Sequence, residues 1–246
     1  MGTADHQSKL VSVIVPAYKE AIYIGRTLSG IVEAFHTAKL DCEVVVVVDV
    51  VPGDETISRV AEVASRCREL AVIRRNGRRG VGTAVRDGIK NCHGNCIIIA
   101  MGDQSESPSD IIKLAKAAQN CGIVFANRFK RGKPDGYPFS KYVANRICNI
   151  VAMILFRIPY SDITNAFKAY NKDLLDSIQL CSEGFEVFLE MPVKAVTAAR
   201  GLKEIGVEHV VRRDKVGKLS IGREGPRYVF TLLRLLTYRR RSVRSE

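Results

Sequence analysis

Acidic side chains and glycines follow the short apolar runs of this sequence, at positions where they could bind a ligand. Asp49 ends one such run, Asp103 follows another, and Gly80 and Gly82 precede a helical pattern. Carboxylates accept hydrogen bonds from hydroxyl and N–H groups, and glycines let the backbone approach a ligand before a helix N-terminus. We therefore expect ligand binding at segments 16–20, 49–56, 76–82 and 101–108.

The segments that position these residues alternate between strand and helix. Leu10–Pro16 and Cys42–Asp49 are apolar and rich in β-branched residues, as buried parallel strands are, and Ala21–Lys39 between them has helical spacing. The alternation continues through helices at 54–67, 82–91 and 108–120 and strands at 70–74, 96–101 and 123–126. This order predicts an α/β fold with a doubly wound, mainly parallel sheet, in which ligands bind where the strands end.

The second half of the chain contains two amphipathic helical patterns. Lys141–Arg157 repeats polar residues every four positions, and 225–241 repeats arginines and a threonine among leucines and aromatic residues. Ile147–Phe156 is the nearest approach to a membrane span and is too short to cross a bilayer. A length of 246 residues fits one domain.

Charge and cysteine content restrict the partners. The chain carries 38 Lys and Arg against 26 Asp and Glu, a net charge of +12, which favours phosphate esters, nucleic acid or an acidic membrane surface. Aromatic residues make up 7%, without a stacking platform, so nucleic acid is the weakest of these. Seven scattered cysteines and a polar N-terminus predict a cytoplasmic protein with reduced thiols; Cys92 and Cys96 lack zinc-site spacing.

An ordered set of motifs runs from about residue 11 to residue 219. The motifs are Val15-Pro-Ala-Tyr-Lys-Glu20, Asp49, Arg79-Gly-Val-Gly82, Gly102-Asp103, Ala126-Asn-Arg-Phe129, Ser161–Tyr170, Glu183-Gly-Phe185, Arg212 and Lys218-Leu219. Together and in this order they resemble the family 2 glycosyltransferases of the GT-A fold, in particular the branch of dolichol-phosphate mannose synthases and polyprenyl-phosphate glycosyltransferases.

The resemblance implies that the first half of the chain, about 10–127, binds a nucleotide-sugar donor. Its donor-binding residues would be Pro16, Ala17, Tyr18, Glu20, Asp49, Gly82, Gly102 and Asp103. Without the resemblance, Glu20 could instead cap the following helix and Asp49 could be a turn residue. The best-matching donor is GDP-mannose, with UDP-linked glucose or N-acetylhexosamine as the alternative.

The resemblance also implies a divalent cation, Mg²⁺ or Mn²⁺, held against the donor diphosphate. Asp103 and Ser105 stand at the expected ligand positions, and Gln104 or Glu106 could provide a further oxygen ligand. Met101 stands where the family has its first acid, and a thioether does not bind a hard cation. The alternative is a catalytically weakened protein that binds sugar nucleotides or acts as a scaffold. Val50 also stands at a position where the family often has an acidic residue.

The acceptor implied by the resemblance is a polyprenyl or dolichyl phosphate, bound by residues of about 128–221. An ionised phosphate oxygen attacks C1 of the sugar with inversion and needs no general base. The residues that would hold it are Arg128, Lys141, Asn145, Arg212 and Lys218, and the catalytic set would be Asp103, Arg128, Arg212 and Lys218. Glu186 and Glu190 are candidates for sugar hydroxyls. A hydroxyl acceptor would need a carboxylate base, and no suitable Glu-Asp pair stands near these two residues.

A lipid acceptor would explain the two amphipathic helical patterns, because an enzyme that uses it must bind at a membrane surface. Residues 222–246 carry seven arginines against two glutamates, as a helix lying on an anionic membrane would. We expect a peripheral protein at the cytosolic membrane face, with the donor site lying wholly before residue 222. Alternatively Lys141–Arg157 is a core helix, and the C-terminal helix docks a membrane-anchoring subunit or a second copy of the chain.

Overall fold

The computed structural model describes residues 10–77, 80–212 and 221–242, and within them seven strands form one sheet. The strands are β1 (Val11–Ala17), β2 (Cys42–Asp49), β3 (Leu70–Arg75), β4 (Cys96–Ile99), β5 (Ile123–Asn127), β6 (Lys168–Asn171) and β7 (Leu202–Gly206). The helices are α1 (Ile24–Ala38), α2 (Thr56–Ala64), α3 (Val81–Lys90), α4 (Pro108–Ala118), α5 (Phe139–Phe156), α6 (Lys172–Asp176), α7 (Val187–Val196) and α8 (Ile221–Ser242). The spatial strand order is β3-β2-β1-β4-β6-β5-β7.

The first four strands are parallel and confirm the predicted α/β sheet. Side chains alternate between two cores: Ile14 of β1 belongs to the core under α3, while Val13 and Val15 belong to the core under α1 and α4. Because helices cover both faces, β2 can be a nearly continuous run of valines. The carboxyl ends of β1, β2 and β4 therefore lie side by side at one edge.

Strand β6 runs antiparallel between β4 and β5, and the sequence pattern did not predict it. It has four residues and begins at Lys168, which is fully buried. Strand β7 was missed as well, because its exposed Lys203 breaks an already short run. The sequence pattern does not predict either strand, because the place of each in the sheet depends on partners far away in the chain.

Helices α5 and α8 lie side by side, and α8 also packs on α7. Thr231 and Leu235 of α8 are buried, so this helix is docked on the protein. The two helices nevertheless expose several large apolar side chains, namely Phe139, Ile147, Ile150 and Ile154 of α5 and Val229, Phe230 and Leu233 of α8.

The 18 residues of α5 are long and apolar enough to cross a membrane by length and composition alone. This differs from the expectation that no segment is long enough. The expectation counted only uninterrupted apolar residues, whereas α5 carries Lys141 and Arg146 within its length. Its Asn149 is fully buried against the protein.

Candidate active site

A cavity of about 420 Å³ opens at the ends of β1 and β2; we call it the strand-end cavity. Five predicted donor residues line it: Pro16, Ala17, Tyr18, Glu20 and Asp49. Its other walls come from Gly80, Val81, Ala84, Met101, Gly184, Phe185, Glu224 and Arg227. The last two belong to α8, so the expectation that this site lies wholly before residue 222 is wrong. The tail was expected to lie outside this site. Its packing partners are far away in the chain, so the sequence pattern does not reveal them.

Asp49 is anchored by a buried arginine. Arg75, the last residue of β3, donates from Nε to the Asp49 carboxylate at 2.6 Å. The same guanidinium donates to Thr83 Oγ1 at 2.7 Å and to the Gly80 carbonyl at 3.1 Å. Asp49 is thus held in one position at the cavity wall, tied to the N-terminus of α3. The strand ends in two consecutive arginines, Arg74 and Arg75, and nothing in the sequence shows which of them is buried.

The glycines before α3 make room for another part of the chain. A Cβ on Gly82 would lie 2.4 Å from the Ser182 carbonyl oxygen, and the Gly82 N–H donates to the Glu183 carbonyl at 2.8 Å. Gly80 has φ 129°, which favours glycine. Gly82 therefore lies against the segment that precedes Gly184 and is not itself among the lining residues of the cavity.

The loop after β4 places the predicted metal ligands. Asp103 Oδ1 accepts hydrogen bonds from Ser105 N at 3.1 Å and Ser105 Oγ at 2.6 Å. Gly102 is buried against Ile24, where a Cβ would lie 3.0 Å from the Ile24 side chain. Met101 lines the strand-end cavity, and its N–H donates to Glu106 Oε2 at 3.1 Å.

Glu106 and Asp103 form a pair of neighbouring carboxyl groups. Burial and the charge of Asp103 raise the pKa of Glu106 to about 8. A divalent cation would relieve this repulsion, and Mg²⁺ is commonly held by one or two carboxylates with phosphate oxygens and water completing its shell. The described residues contain no group of three or more His, Cys, Asp and Glu that could hold a metal by themselves. The pair therefore fits Mg²⁺ or Mn²⁺ only together with a phosphate ligand.

Arg128 is clamped by a buried aspartate. Asp162, fully buried, accepts from Arg128 Nη2 at 2.9 Å, Nε at 3.0 Å and the backbone N–H at 2.9 Å. Burial alone would raise the pKa of Asp162, but the Arg128 guanidinium outweighs burial and lowers it. Behind the pair, burial lowers the pKa of Lys168 to about 7, and its Nζ donates to the Asn165 carbonyl.

Arg212 lies against the loop that follows β4. Its Nε donates to the Asp103 carbonyl at 3.1 Å and its Nη2 to the Gln104 carbonyl at 2.7 Å. His209 is nearby, and burial together with the charge of Arg128 lowers its pKa to about 4. The structure therefore brings Asp103, Arg128 and Arg212 around one loop. Lys218 lies outside the described residues.

A second cavity of about 540 Å³ lies between α5 and α8; we call it the interhelix cavity. The predicted acceptor residues Arg128, Lys141 and Asn145 line it, while most of its wall is apolar. Asn145 Nδ2 donates to Thr164 Oγ1 at 3.0 Å, which fixes its orientation. Glu224 lines both cavities, so the two adjoin at the start of α8.

Glu186 and Glu190, the two candidates for binding sugar hydroxyls, differ in their hydrogen-bond partners. Glu190 is fully buried and accepts from Ser182 N at 2.7 Å and Lys194 Nζ at 2.7 Å, with Arg234 of α8 at 3.2 Å. This network connects α7 to α8. Glu186 Oε1 accepts from the Glu183 and Gly184 N–H groups, and its Oε2 has no hydrogen-bond partner in the described part of the chain.

Comparisons with known proteins place this geometry in a family. The family model for glycosyl transferase family 2 matches residues 12–179. A dolichol-phosphate mannosyltransferase of Pyrococcus furiosus is 31% identical over 188 residues, 75% of this chain and 52% of that protein. An undecaprenyl-phosphate mannosyltransferase of Micrococcus luteus is 26% identical over 222 residues, 86% of this chain and 88% of that protein. The chain thus spans about half of the Pyrococcus protein.

The fold is also that of solved structures. Glucosyl-3-phosphoglycerate synthase from Mycobacterium tuberculosis, in complex with Mn²⁺, UDP and phosphoglyceric acid, superposes with a TM-score of 0.70 over 93% of this chain and 78% of that chain, at 16% identity. This likeness shows the GT-A fold alone. With more than half of its residues matched by the family model, the chain belongs to glycosyl transferase family 2.

Proposed function

We propose that this protein is an inverting glycosyltransferase that moves a sugar from a nucleotide sugar to a polyprenyl or dolichyl phosphate. The observation that carries the proposal is the pair of adjoining cavities. One is lined by strand-end carboxylates, the other is apolar with cations at its wall, and they share Glu224. Two substrates of different polarity fit such a pair, and the related proteins are named for sugar transfer to polyprenyl phosphates.

The donor occupies the strand-end cavity in this proposal. Asp49, held by Arg75, accepts hydrogen bonds from the ribose or base, with Pro16, Ala17, Tyr18 and Glu20 around it. Asp103 and Glu106, with Ser105 in support, would hold Mg²⁺ or Mn²⁺, and a cation bound there would offset the negative charge of the leaving diphosphate. The mannosyltransferases among the relatives favour mannose as the sugar. GDP-mannose is the donor that the resemblance of the motifs implies.

The acceptor phosphate lies beside Arg128 at the interhelix cavity, and its lipid chain follows the apolar wall. A phosphate oxygen forms the new bond to C1 while the bond from C1 to the donor diphosphate breaks, and the electron pair of that bond leaves with the nucleoside diphosphate. Arg128 is fixed by Asp162, so it meets the phosphate without reorganising. Lys141, Asn145, Arg212 and Lys218 complete the proposed acceptor set.

The protein works at the cytosolic membrane face in this proposal. The exposed apolar side chains of α5 and α8 enter the headgroup region, and the arginines of the tail meet anionic lipid. Both helices also line the interhelix cavity, so the lipid acceptor reaches it directly from the bilayer.

The experiment is a transfer assay with purified protein, Mn²⁺ or Mg²⁺, and labelled GDP-mannose, UDP-glucose or UDP-N-acetylglucosamine. Undecaprenyl phosphate, dolichyl phosphate or an alkyl glycoside is the acceptor. Transfer to either polyprenyl phosphate, and not to the glycoside, is expected. Transfer only to the glycoside would establish a hydroxyl acceptor instead, and donor binding without any transfer would establish a non-catalytic member.

A further inference from the structure

The C-terminal helix α8 contributes a cation to the strand-end cavity. Arg227 lies in the second turn of α8, and its guanidinium reaches the loop before α7: a Cβ added to Gly184 would lie 2.8 Å from Arg227 Nη1. Gly184 and Arg227 both line the cavity. The absence of a side chain at Gly184 is therefore what admits the guanidinium to this position.

The charged side chains in the wall of this cavity are acidic apart from Arg227. Among its described lining residues, Glu20, Asp49 and Glu224 carry carboxyl groups, and Arg227 is the only cation. Arg75 neutralises Asp49 from behind the wall. A nucleoside diphosphate placed here needs a positive partner, and Met101, on the same wall, cannot supply a ligand for a hard cation.

The guanidinium of Arg227 is available for a ligand. Within the described residues its one ion pair is with Glu224 Oε2 at 3.7 Å, too long for a hydrogen bond, and no hydrogen bond occupies its N–H groups. Its side chain is 55% exposed, so it can turn toward a ligand at the cavity mouth. Arginine presents a planar fork that matches two phosphate oxygens at once.

We propose that Arg227 binds the diphosphate of the donor and stabilises the negative charge on the departing nucleoside diphosphate. The inference rests on the function proposed above and adds α8 to the donor site. Arg227 transfers no proton: the bond from C1 to the diphosphate oxygen breaks, and the electron pair stays on that oxygen, beside the guanidinium. The family's first acid helps to hold a divalent cation against the diphosphate, and Met101 cannot do so here. Arg227 supplies part of that positive charge in its place.

The test measures nucleotide affinity by isothermal titration calorimetry in the presence of Mg²⁺. GDP, UDP and the corresponding monophosphates are titrated into the wild-type protein, Arg227→Gln and Arg227→Lys. Arg66→Gln is the control, because the Arg66 side chain is 73% exposed and lines neither cavity. Thermal melting checks that each variant is folded. We expect no effect of the Arg227 substitutions on folding, because more than half of this side chain is exposed.

Arg227→Gln should bind the preferred nucleoside diphosphate about ten- to a hundredfold more weakly, as expected for the loss of a charge-assisted hydrogen bond. Its affinity for the monophosphate should fall less, Arg227→Lys should lie between, and Arg66→Gln should match the wild type. An unchanged ratio of diphosphate to monophosphate affinity in Arg227→Gln would overturn the inference alone. Wild-type protein that binds neither diphosphate would overturn the proposed function, and the inference with it.

Discussion

Lys168 is a lysine that lies wholly inside the sheet, at the start of β6. Burial lowers its pKa from 10.5 to about 7, so between these values the folded protein binds fewer protons here than the unfolded chain. Stability therefore rises with pH in this interval, by at most about 1.4 kcal/mol per pH unit from this residue. Below about pH 7 both states are protonated and the dependence disappears.

Lys168→Met should remove this dependence, because methionine fills similar space without a proton to lose. We expect the free energy of unfolding of the wild type, minus that of the variant, to increase by about 1 kcal/mol per unit from pH 7 to pH 9. Urea denaturation at pH 7, 8 and 9 measures it. A difference that stays constant with pH would mean that Lys168 is charged in the folded protein at pH 9.

Asp103 is the residue on which the proposed metal site depends. Asp103→Ala should reduce Mn²⁺ affinity measured in the presence of the nucleoside diphosphate by at least tenfold, since it removes one of two carboxylates. Met101→Asp should raise it, because a hard oxygen ligand replaces a thioether. Titration of Mn²⁺ followed by electron paramagnetic resonance measures both variants, with the exposed Asp135→Ala as control. Unchanged affinity in Asp103→Ala would contradict the ligand role.

At the scale of elements, α8 offers two leucines in contrasting positions. Leu235 is fully buried, while Leu233 is 59% exposed. Leu235→Ala should lower the free energy of unfolding by about 2–4 kcal/mol through the cavity that it leaves, and Leu233→Ala should change it by less than about 0.5 kcal/mol. Chemical denaturation of both variants measures this. Equal small effects would mean that α8 is not docked on the protein in solution.

At the scale of the whole molecule, the neighbouring helices α5 and α8 both expose large apolar side chains. Replacing the exposed Ile154 and Phe230 together with serine should reduce binding to vesicles containing anionic lipid, because two apolar side chains that would insert into the headgroup region are lost. Co-sedimentation at low and high salt measures it, and salt should weaken wild-type binding only in part. The control is Ile22→Ser, which is also exposed but lies before α1. Equal pelleting of the double variant and the control would exclude this surface as the membrane contact.

The sequence by itself determined the first part of the fold and one side of the site. The boundaries of β2 were predicted to the residue, because a run of β-branched residues between helical patterns has a local signature. The end of each parallel strand then located Pro16–Glu20 and Asp49 at one edge, and both line the strand-end cavity.

Only the tertiary structure decided the rest, because the remaining contacts join residues far apart in the chain. Gly82 bonds to Glu183, Arg212 to the carbonyl of Asp103, and Arg234 of α8 to Ser182. No periodicity within a window of residues can encode such contacts. The same reason explains why β6 was missed. It also explains why Glu224 and Arg227, in a segment expected to contact a membrane, a partner subunit or a second copy of the chain, were not predicted to form a wall of the cavity.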